Sequence, residues 1–286
     1  MVIAKYFTEF CLFSFLGWIY ECIYCSVKTK HWENRGFLYG PVCPIYGSGA
    51  TAVLIVFGDL AGKFFRTRGA GEEIPVWMIF LICAVGSAIL EYGTSYILEK
   101  KFHARWWDYS HAPLNVNGRI CLPATIGFGV AGVVIVRYLL PVVSSAEGMV
   151  PPIAYEAIAL VLMFLFGMDM AMTISSLTQL GEKLDKAEAV FNARMEAGME
   201  AGMAKVGAGV ANLQEIKDTV LGSSEEFEQM IKEMASGFTA RQKYHLTSVR
   251  RFMNERRSSI VASIMKKLPG RQKPEDEKSE TQTTEI

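Results

Sequence analysis

Apolar residues gather into five runs over the first 174 positions, and no run of comparable length follows them. The runs extend from about Tyr6 to Val27, Ile45 to Gly62, Val76 to Leu98, Cys121 to Val143 and Ile153 to Ile174. Each is near the ~20 residues that a helix needs to cross a bilayer. The first contains Glu9 and Glu21 and is not closed by a small-x-small cleavage site, so it reads as an uncleaved span and not as a removed signal peptide. The second is the weakest, because it is short, carries Gly47, Gly49 and Gly58, and follows Pro41 and Pro44. A partly unwound start is expected there.

Beyond the last run the periodicity changes. From Ser175 to Leu268 there is no Pro, and Leu180, Leu184, Phe191, Met195, Val206, Val210 and Leu213 recur at helical spacing. This predicts two long helices. The break is placed at Leu221-Gly222-Ser223-Ser224, where Gly ends one helix and Ser223 with Glu226 has capping-box spacing for the next. Inside the first, the repeat from Glu196 to Met203 aligns Gly198 and Gly202 on one stripe that a partner helix could approach closely, although each Gly costs ~1 kcal/mol against Ala. Residues 269–286 are polar and charged and are expected to be disordered. The predicted fold is therefore all-α: a polytopic membrane bundle of five spans over 1–174, a coiled-coil-like helical tail over 175–268, and a disordered end.

Charge sharpens this division. The whole chain has 29 basic and 29 acidic residues, but residues 1–174 hold 12 of each and the rest 17 of each. A purely soluble protein is excluded by the apolar runs, and a net-basic nucleic-acid binder by the zero balance. Orientation follows from Lys and Arg near the spans. Lys28, Lys30 and Arg35, then Lys100, Lys101, Arg105 and Arg119, then Lys183, Lys186 and Arg194 lie on one side, against Lys5, Lys63, Arg66 and Arg68 on the other. The N-terminus is thus expected outside, and both long loops and the tail in the cytoplasm of a bacterial cell membrane.

The two long loops carry the most information, and they share a plan. Each is preceded by an acid inside a span, Glu21 or Glu91, and contains an Asn beside Arg and Gly, Asn34-Arg35-Gly36 or Asn117-Gly118-Arg119. Each then enters the next span through Cys43-Pro44 or Cys121-Leu-Pro123. The spans before the loops run in the same direction, so this would be a parallel repeat of helical hairpins, a known way to form a site at a repeat interface. Loop lengths argue against a close repeat, with 13 residues from Glu21 to Asn34 and 26 from Glu91 to Asn117.

The string Asn34-Arg-Gly-Phe-Leu-Tyr-Gly-Pro-Val-Cys-Pro-Ile-Tyr-Gly47, with Gly17-Trp-x-x-Glu21 before it and Trp107-Asp-Tyr-Ser and Asn117-Gly-Arg-Ile-Cys121 after it, resembles the putative ABC-transporter type IV family. These are bacterial multi-span membrane proteins described as ABC transporter permeases. The resemblance covers roughly residues 6–140 and implies a permease of unknown substrate. No Gly-x-x-x-x-Gly-Lys-Ser/Thr occurs, and the nearest string, Gly58-Asp-Leu-Ala-Gly-Lys63, has the wrong spacing. A transporter of this kind would need a separate ATP-binding subunit.

The candidate gate or substrate path comprises Glu21, Asn34, Arg35, Gly40, Pro41, Cys43, Pro44, Tyr46, Glu91, Asp108, Asn117 and Arg119. A charge at membrane depth costs at least ~2.5–3.5 kcal/mol, so Glu21 and Glu91 should face inward, with Arg35 and Arg119 as candidate partners, crosswise between hairpins. A structural ion pair or simple snorkelling would explain them equally well. The segment Gly40 to Gly47 cannot be regular helix throughout, and irregular backbone at this depth is tolerated when buried in protein or lining a wet cavity. A plain tight start to the second span competes with that reading. Asp169 could join the inner polar cluster or be solvated at the boundary.

Other chemistry is weaker. Cys22-x-x-Cys25 has redox spacing but no matching second pair, and His31, His103, His111 and Asp108 are scattered, so no metal, cofactor or catalytic group is expected. Trp18, Tyr20, Tyr24, Trp32, Trp106, Trp107 and Tyr109 fit an interfacial aromatic belt. The basic run from Arg241 to Lys267 could lie on anionic lipid, pair with a neighbour's Glu225 to Glu233, or form a solvated coiled-coil face. Three functions are weighed: a permease-like subunit, a non-transporting membrane anchor whose tail binds a partner helix or a second copy, and a lipid-acting enzyme, the last without a nucleophile–base pair to support it.

Overall fold

The computed structural model describes residues 2–30, 32–60, 74–147, 151–207, 224–253 and 255–267. The expected break at Leu221 to Ser223, the disordered end, His31 and the basic residues Lys63, Arg66 and Arg68 lie outside the described residues. The helices are α1 (Val2–Thr29), α2 (Pro44–Val53), α3 (Val76–Phe102), α4 (Leu122–Val134), α5 (Leu140–Glu147), α6 (Pro152–Gly207), α7 (Ser224–Ser236), α8 (Ala240–Ser248) and α9 (Glu255–Lys267). Four two-residue strands complete the chain: β1 (Ala104–Arg105), β2 (Asn115–Val116), β3 (Ile120–Cys121) and β4 (Arg251–Phe252). β1 pairs antiparallel with β4 and β2 with β3. The protein is all-α in class.

Four helices are long and apolar enough to cross a membrane, Val2–Thr29, Val76–Phe102, Leu122–Val143 and Pro152–Ala201. They are rich in exposed apolar side chains such as Leu81, Val85, Leu160 and Phe164, a surface suited to lipid. Among the described residues the expected second span, 45–62, is a shorter apolar helix, Pro44–Gly58, so four of the five expected spans reach crossing length. Its helix cannot begin before Pro44, which sits in the first turn, and it leaves α-geometry at Leu54 for a π-helical stretch to Leu60.

Two hairpins precede α6, α1 with α2 and α3 with α4, and they share a backbone plan. Their long helices, α1 and α3, have 28 and 27 residues, and the residue after each, Lys30 or His103, is left-handed with φ of 58° or 52°. Each second helix follows an extended Cys N-cap, Cys43 or Cys121, with Pro in its first two positions, where the missing N–H costs nothing. Each then passes into a π-helical segment, Leu54–Leu60 or Ile135–Leu139.

Packing within the first hairpin depends on close backbone approach. A Cβ at Gly47 would run into the Ser14 hydroxyl and the Phe10 carbonyl, so only Gly lets α2 lie this near α1. Phe13 packs there on Ala50 and Leu54. Phe57 of the first hairpin packs on Ile79 and Cys83 of α3, an apolar cluster that joins the two hairpins.

The chain divides into two compact units, residues 1–182 with 240–254 and residues 183–239 with 255–286. α6 is continuous across position 174, so the fifth apolar run and the first part of the tail are one helix. In the second unit α7 packs on α9, and Leu184, Ala187, Ile231, Ala235, Ile260 and Ile264 are buried. Arg257 of α9 pairs with Asp185 and, at 3.9 Å, with Glu188 of α6. The basic run thus finds acidic partners in its own chain. The second expected tail helix is three helices and a strand. Gly237 ends α7, its N–H reaching the carbonyls of Glu233 and Met234 at 3.1 Å, and residues 251–252 leave helical geometry to pair with β1.

Candidate functional site

Loop one is tied back onto the end of α1. The Trp18 indole donates to Asn34 Oδ1 at 2.7 Å, the Glu33 N–H to Ser26 Oγ at 2.9 Å, and the Arg35 N–H to Cys22 Sγ at 3.5 Å. Leu38 is fully buried, while Pro41 is exposed at the turn made where the Val42 N–H meets the Gly40 carbonyl at 2.8 Å. The Gly40 N–H donates to Asp169 Oδ2 at 2.9 Å, and the Cys43 N–H to the Ser14 carbonyl at 2.9 Å. Asp169 therefore belongs to the polar cluster. The irregular segment before Pro44 is part-buried, with Leu38 and Cys43 inside and Tyr39 and Pro41 exposed, and the N–H groups of Gly40, Val42 and Cys43 are all paired.

Glu21 takes the Tyr46 hydroxyl on Oε1, so the first turn of α2 reaches back to the acid of α1. In the second hairpin Glu91, 5% exposed, takes the Tyr109 hydroxyl on Oε1 at 3.3 Å, and its Oε2 has no hydrogen-bond partner among the described residues. The two acids lie within each other's field: the Glu21 charge acts on both Glu91 and Tyr109. Burial, and then the Glu91 charge, push the Tyr109 phenol well above its usual range, which keeps it a hydrogen donor.

The expected crosswise ion pairs do not form. Arg35 donates to the carbonyls of Ser248 and Trp106, both at 3.3 Å. Arg119 pairs with Glu99 at 2.9 Å and stacks on Tyr92 and Tyr96, 5.2 and 5.4 Å from their centroids. A guanidinium carries five donors in a fixed fork, and the loop carbonyls and Glu99 satisfy more of them than a lone carboxylate deeper in the span would. The acids take tyrosines instead.

Loop two is organised by Arg105, which pairs with Glu99 and donates to the Asn117 carbonyl at 3.0 Å. Asn117 donates from Nδ2 to the Tyr92 hydroxyl at 3.0 Å, and the Trp107 indole to the Arg119 carbonyl at 3.0 Å. Gly118 is left-handed at φ 68° and packed against Asp108 and Ser110, a place no larger residue fits. Burial works to raise the Asp108 pKa, but hydrogen bonds from the Ser110 hydroxyl and N–H, and Arg251 at 3.2 Å, outweigh it and hold the carboxyl below its usual range. Asp108 and Asn117 thus belong to the loop scaffold and not to the carboxylate pair.

Sequence reasoning passed over Glu99, Arg105 and the C-terminal residues that reach the loops, and gave Trp18, Trp106 and Tyr109 only an interfacial role. The one signal for Glu99 was its place at the end of α3 beside Lys100 and Lys101. All six cysteines are free and buried, and among the described residues no group of three His, Cys, Asp or Glu side chains is placed to hold a metal ion.

Residues 8–174 match the family described as Putative ABC-transporter type IV. The chain belongs to this family. The match takes in both hairpins, both loops and Asp169, and ends within α6, so the type IV region coincides with the membrane helices and leaves the tail outside. No curated protein and no solved structure matches the chain.

Proposed function

We propose that this protein is the membrane-spanning, permease-like subunit of an ABC-type transporter, with ATP hydrolysis supplied by a separate chain. The observation that carries the reading is a pair of acids within the helices, half-buried Glu21 with Tyr46 and buried Glu91 with Tyr109, one from each hairpin. Buried ionisable groups at membrane depth are retained against a cost, and a repeat interface is where transporters place their paths. The loop scaffold of Asn34, Arg35, Asn117 and Arg119 fixes the hairpin ends around that pair. The basic residues flanking the spans favour the two loops and the tail on the cytoplasmic side of a bacterial membrane. Family membership supports an ATP-binding partner, and no side-chain set in this chain is assigned a catalytic role.

The test is purification of the tagged chain from its native membrane, followed by assay for a bound ATPase and reconstitution of the complex. A co-purifying ATP-binding subunit is expected, and Glu21→Gln with Glu91→Gln should abolish solute-stimulated hydrolysis while leaving the complex assembled. A chain that purifies without an ATPase, or activity indifferent to both substitutions, would overturn the reading. The packed helical unit after residue 182 favours a second reading, a membrane anchor that displays this unit to a partner helix or a second copy. Deletion of residues 181–286 separates the two, because an anchor loses its entire phenotype and a transporter retains flux.

A further inference from the structure

After leaving the membrane unit at Glu182 the chain returns to it for residues 240–254. This returning segment lies outside the family match, yet it binds both signature loops. On loop one, the Tyr244 hydroxyl lies 3.2 and 2.9 Å from the carbonyls of Gly36 and Leu38, and its ring meets Tyr39 edge-on at 5.3 Å. The Arg241 guanidinium sits 4.5 Å over the Tyr39 ring and 2.9 Å from Asp169 Oδ1, the same carboxylate that holds Gly40. On loop two, β4 pairs with β1, the Arg250 N–H donates to the Arg105 carbonyl at 2.8 Å, and the Met253 N–H to the His103 carbonyl at 3.1 Å.

The segment is buried more deeply than most of the apolar spans. Gln242, His245 and Leu246 are 1%, 0% and 2% exposed, and Val249 packs with Ala104, Trp106 and Leu177. Its end is held by weak surface pairs, Arg250 with Glu33 at 3.3 Å and Arg251 with Asp108 at 3.2 Å, whose arginine side chains are 41% and 50% exposed. Behind it lies the Gly/Pro segment. A Cβ at Gly36 would be 3.3 Å from the Cys43 thiol and 3.6 Å from the Tyr244 hydroxyl, so the glycine lies beside both.

We propose that residues 240–253 form a strap, a tethered helix-and-strand ligand for the two signature loops, which closes the loop face over Asn34 to Cys43 and must lift before anything reaches the site from that side. The family region supplies the site, and the C-terminal segment controls access to it. A receptor surface read this way fits an arginine- and tyrosine-bearing helix that pairs its end as a strand.

The native cysteines provide the test, which involves neither solute nor ATPase and so stands or falls apart from the permease reading. The full-length protein in nanodiscs is exposed to a bulky membrane-impermeant maleimide, and labelling of each cysteine is followed by mass spectrometry. In the wild type Cys43 and Cys22 should label slowly. Arg241→Ala with Tyr244→Ala, and a second variant in which residues 240–253 are replaced by a Gly/Ser linker of equal length, should label both at least tenfold faster, with Cys11 and Cys83 unchanged. Thr247→Ala, on the exposed side of α8, should behave as wild type. Unchanged Cys43 labelling in the linker variant would overturn the proposal. So would labelling of Cys11 and Cys83 alongside it, because the segment would then be part of the fold and not a strap over it.

Discussion

Asp169 lies at the end of the family match and holds two partners at once, which makes its loss measurable. Its carboxylate accepts from the Gly40 N–H on Oδ2 and from Arg241 on Oδ1, each at 2.9 Å, and its side chain is 15% exposed against 26% for Arg241. A hydrogen bond to a charged group contributes ~1.5–3 kcal/mol, and the residual exposure places the Arg241 contact near the lower bound. Asp169→Asn keeps an acceptor for Gly40 but removes the charge, which costs about 1.5 kcal/mol. Arg241→Gln removes the same charge pair and also the stack on Tyr39, at ~0.5–1 kcal/mol more. Thermal unfolding of the single variants in nanodiscs should show midpoints lowered by roughly 3–10 °C, by the ~2–4 °C per kcal/mol usual at this size. The double variant should fall short of the sum by about 1 kcal/mol, as expected of groups in direct contact. Additivity within ~0.3 kcal/mol would refute the claim that these residues stabilise the loop face by binding each other.

Three further outcomes are expected. Gly47→Ala should destabilise by about 2–4 kcal/mol and reduce the folded fraction recovered from membranes, because overpacking against backbone has no flexible neighbour to yield; wild-type recovery would refute the close approach of α1 and α2. His245 is fully buried with neither ring nitrogen hydrogen-bonded among the described residues, and burial first, then the Arg241 charge, lowers its pKa from 6.5 to about 4, partly offset by Asp169. The unfolded imidazole binds its proton near pH 6.5 and the folded one only near 4, so stability is complete above pH 6.5 and declines as pH falls between these values. His245→Leu should therefore reduce the drop in midpoint between pH 7 and pH 5, and an unaltered pH profile would contradict the assignment. In the second unit, Arg257→Ala removes the pairs with Asp185, whose side chain is 63% exposed, and Glu188, and should cost about 1 kcal/mol, read by limited proteolysis of the tail; Arg257→Lys should rescue only part of it, because Lys lacks the fork.

What the sequence made legible was local. The hydropathy of the four long spans located their starts, and all their ends but that of α6, to within a few residues, because a bilayer selects length and apolarity with little regard to neighbours. The Cys-Pro and Cys-x-Pro boundaries marked true helix starts, since an extended N-cap followed by Pro leaves the chain no alternative. Long-range choices were not legible. Charge alone made Arg35 and Arg119 candidate partners of Glu21 and Glu91, crosswise between hairpins; for Arg35 the outcome turned on a carbonyl at Ser248, more than 200 residues away. The tail likewise reads as continuous helix until residues 251–252 meet β1, and no local propensity reports a pairing with Ala104 and Arg105. The coiled-coil reading failed to anticipate that Leu184 and Ala187 would be buried in a unit where α7 packs on α9 of the same chain.

The hairpin repeat also locates the functional asymmetry of the molecule. Both hairpins share a long helix with a left-handed stop, a cysteine cap, a proline start and a π-helical continuation, which are backbone features. Their side-chain solutions differ. Glu21 is held by a tyrosine of its own following helix, whereas Glu91 is held by Tyr109 of a loop that also carries the Arg105 and Glu99 scaffold and pairs with the strap. The first acid is therefore fixed by elements inside the membrane and the second through a loop that the C-terminal segment clamps. A movement of the strap has a route to Glu91 through β1 and Tyr109, and to Glu21 through Arg35, which joins Ser248 to Cys22, and through the backbone of Gly36 to Cys43.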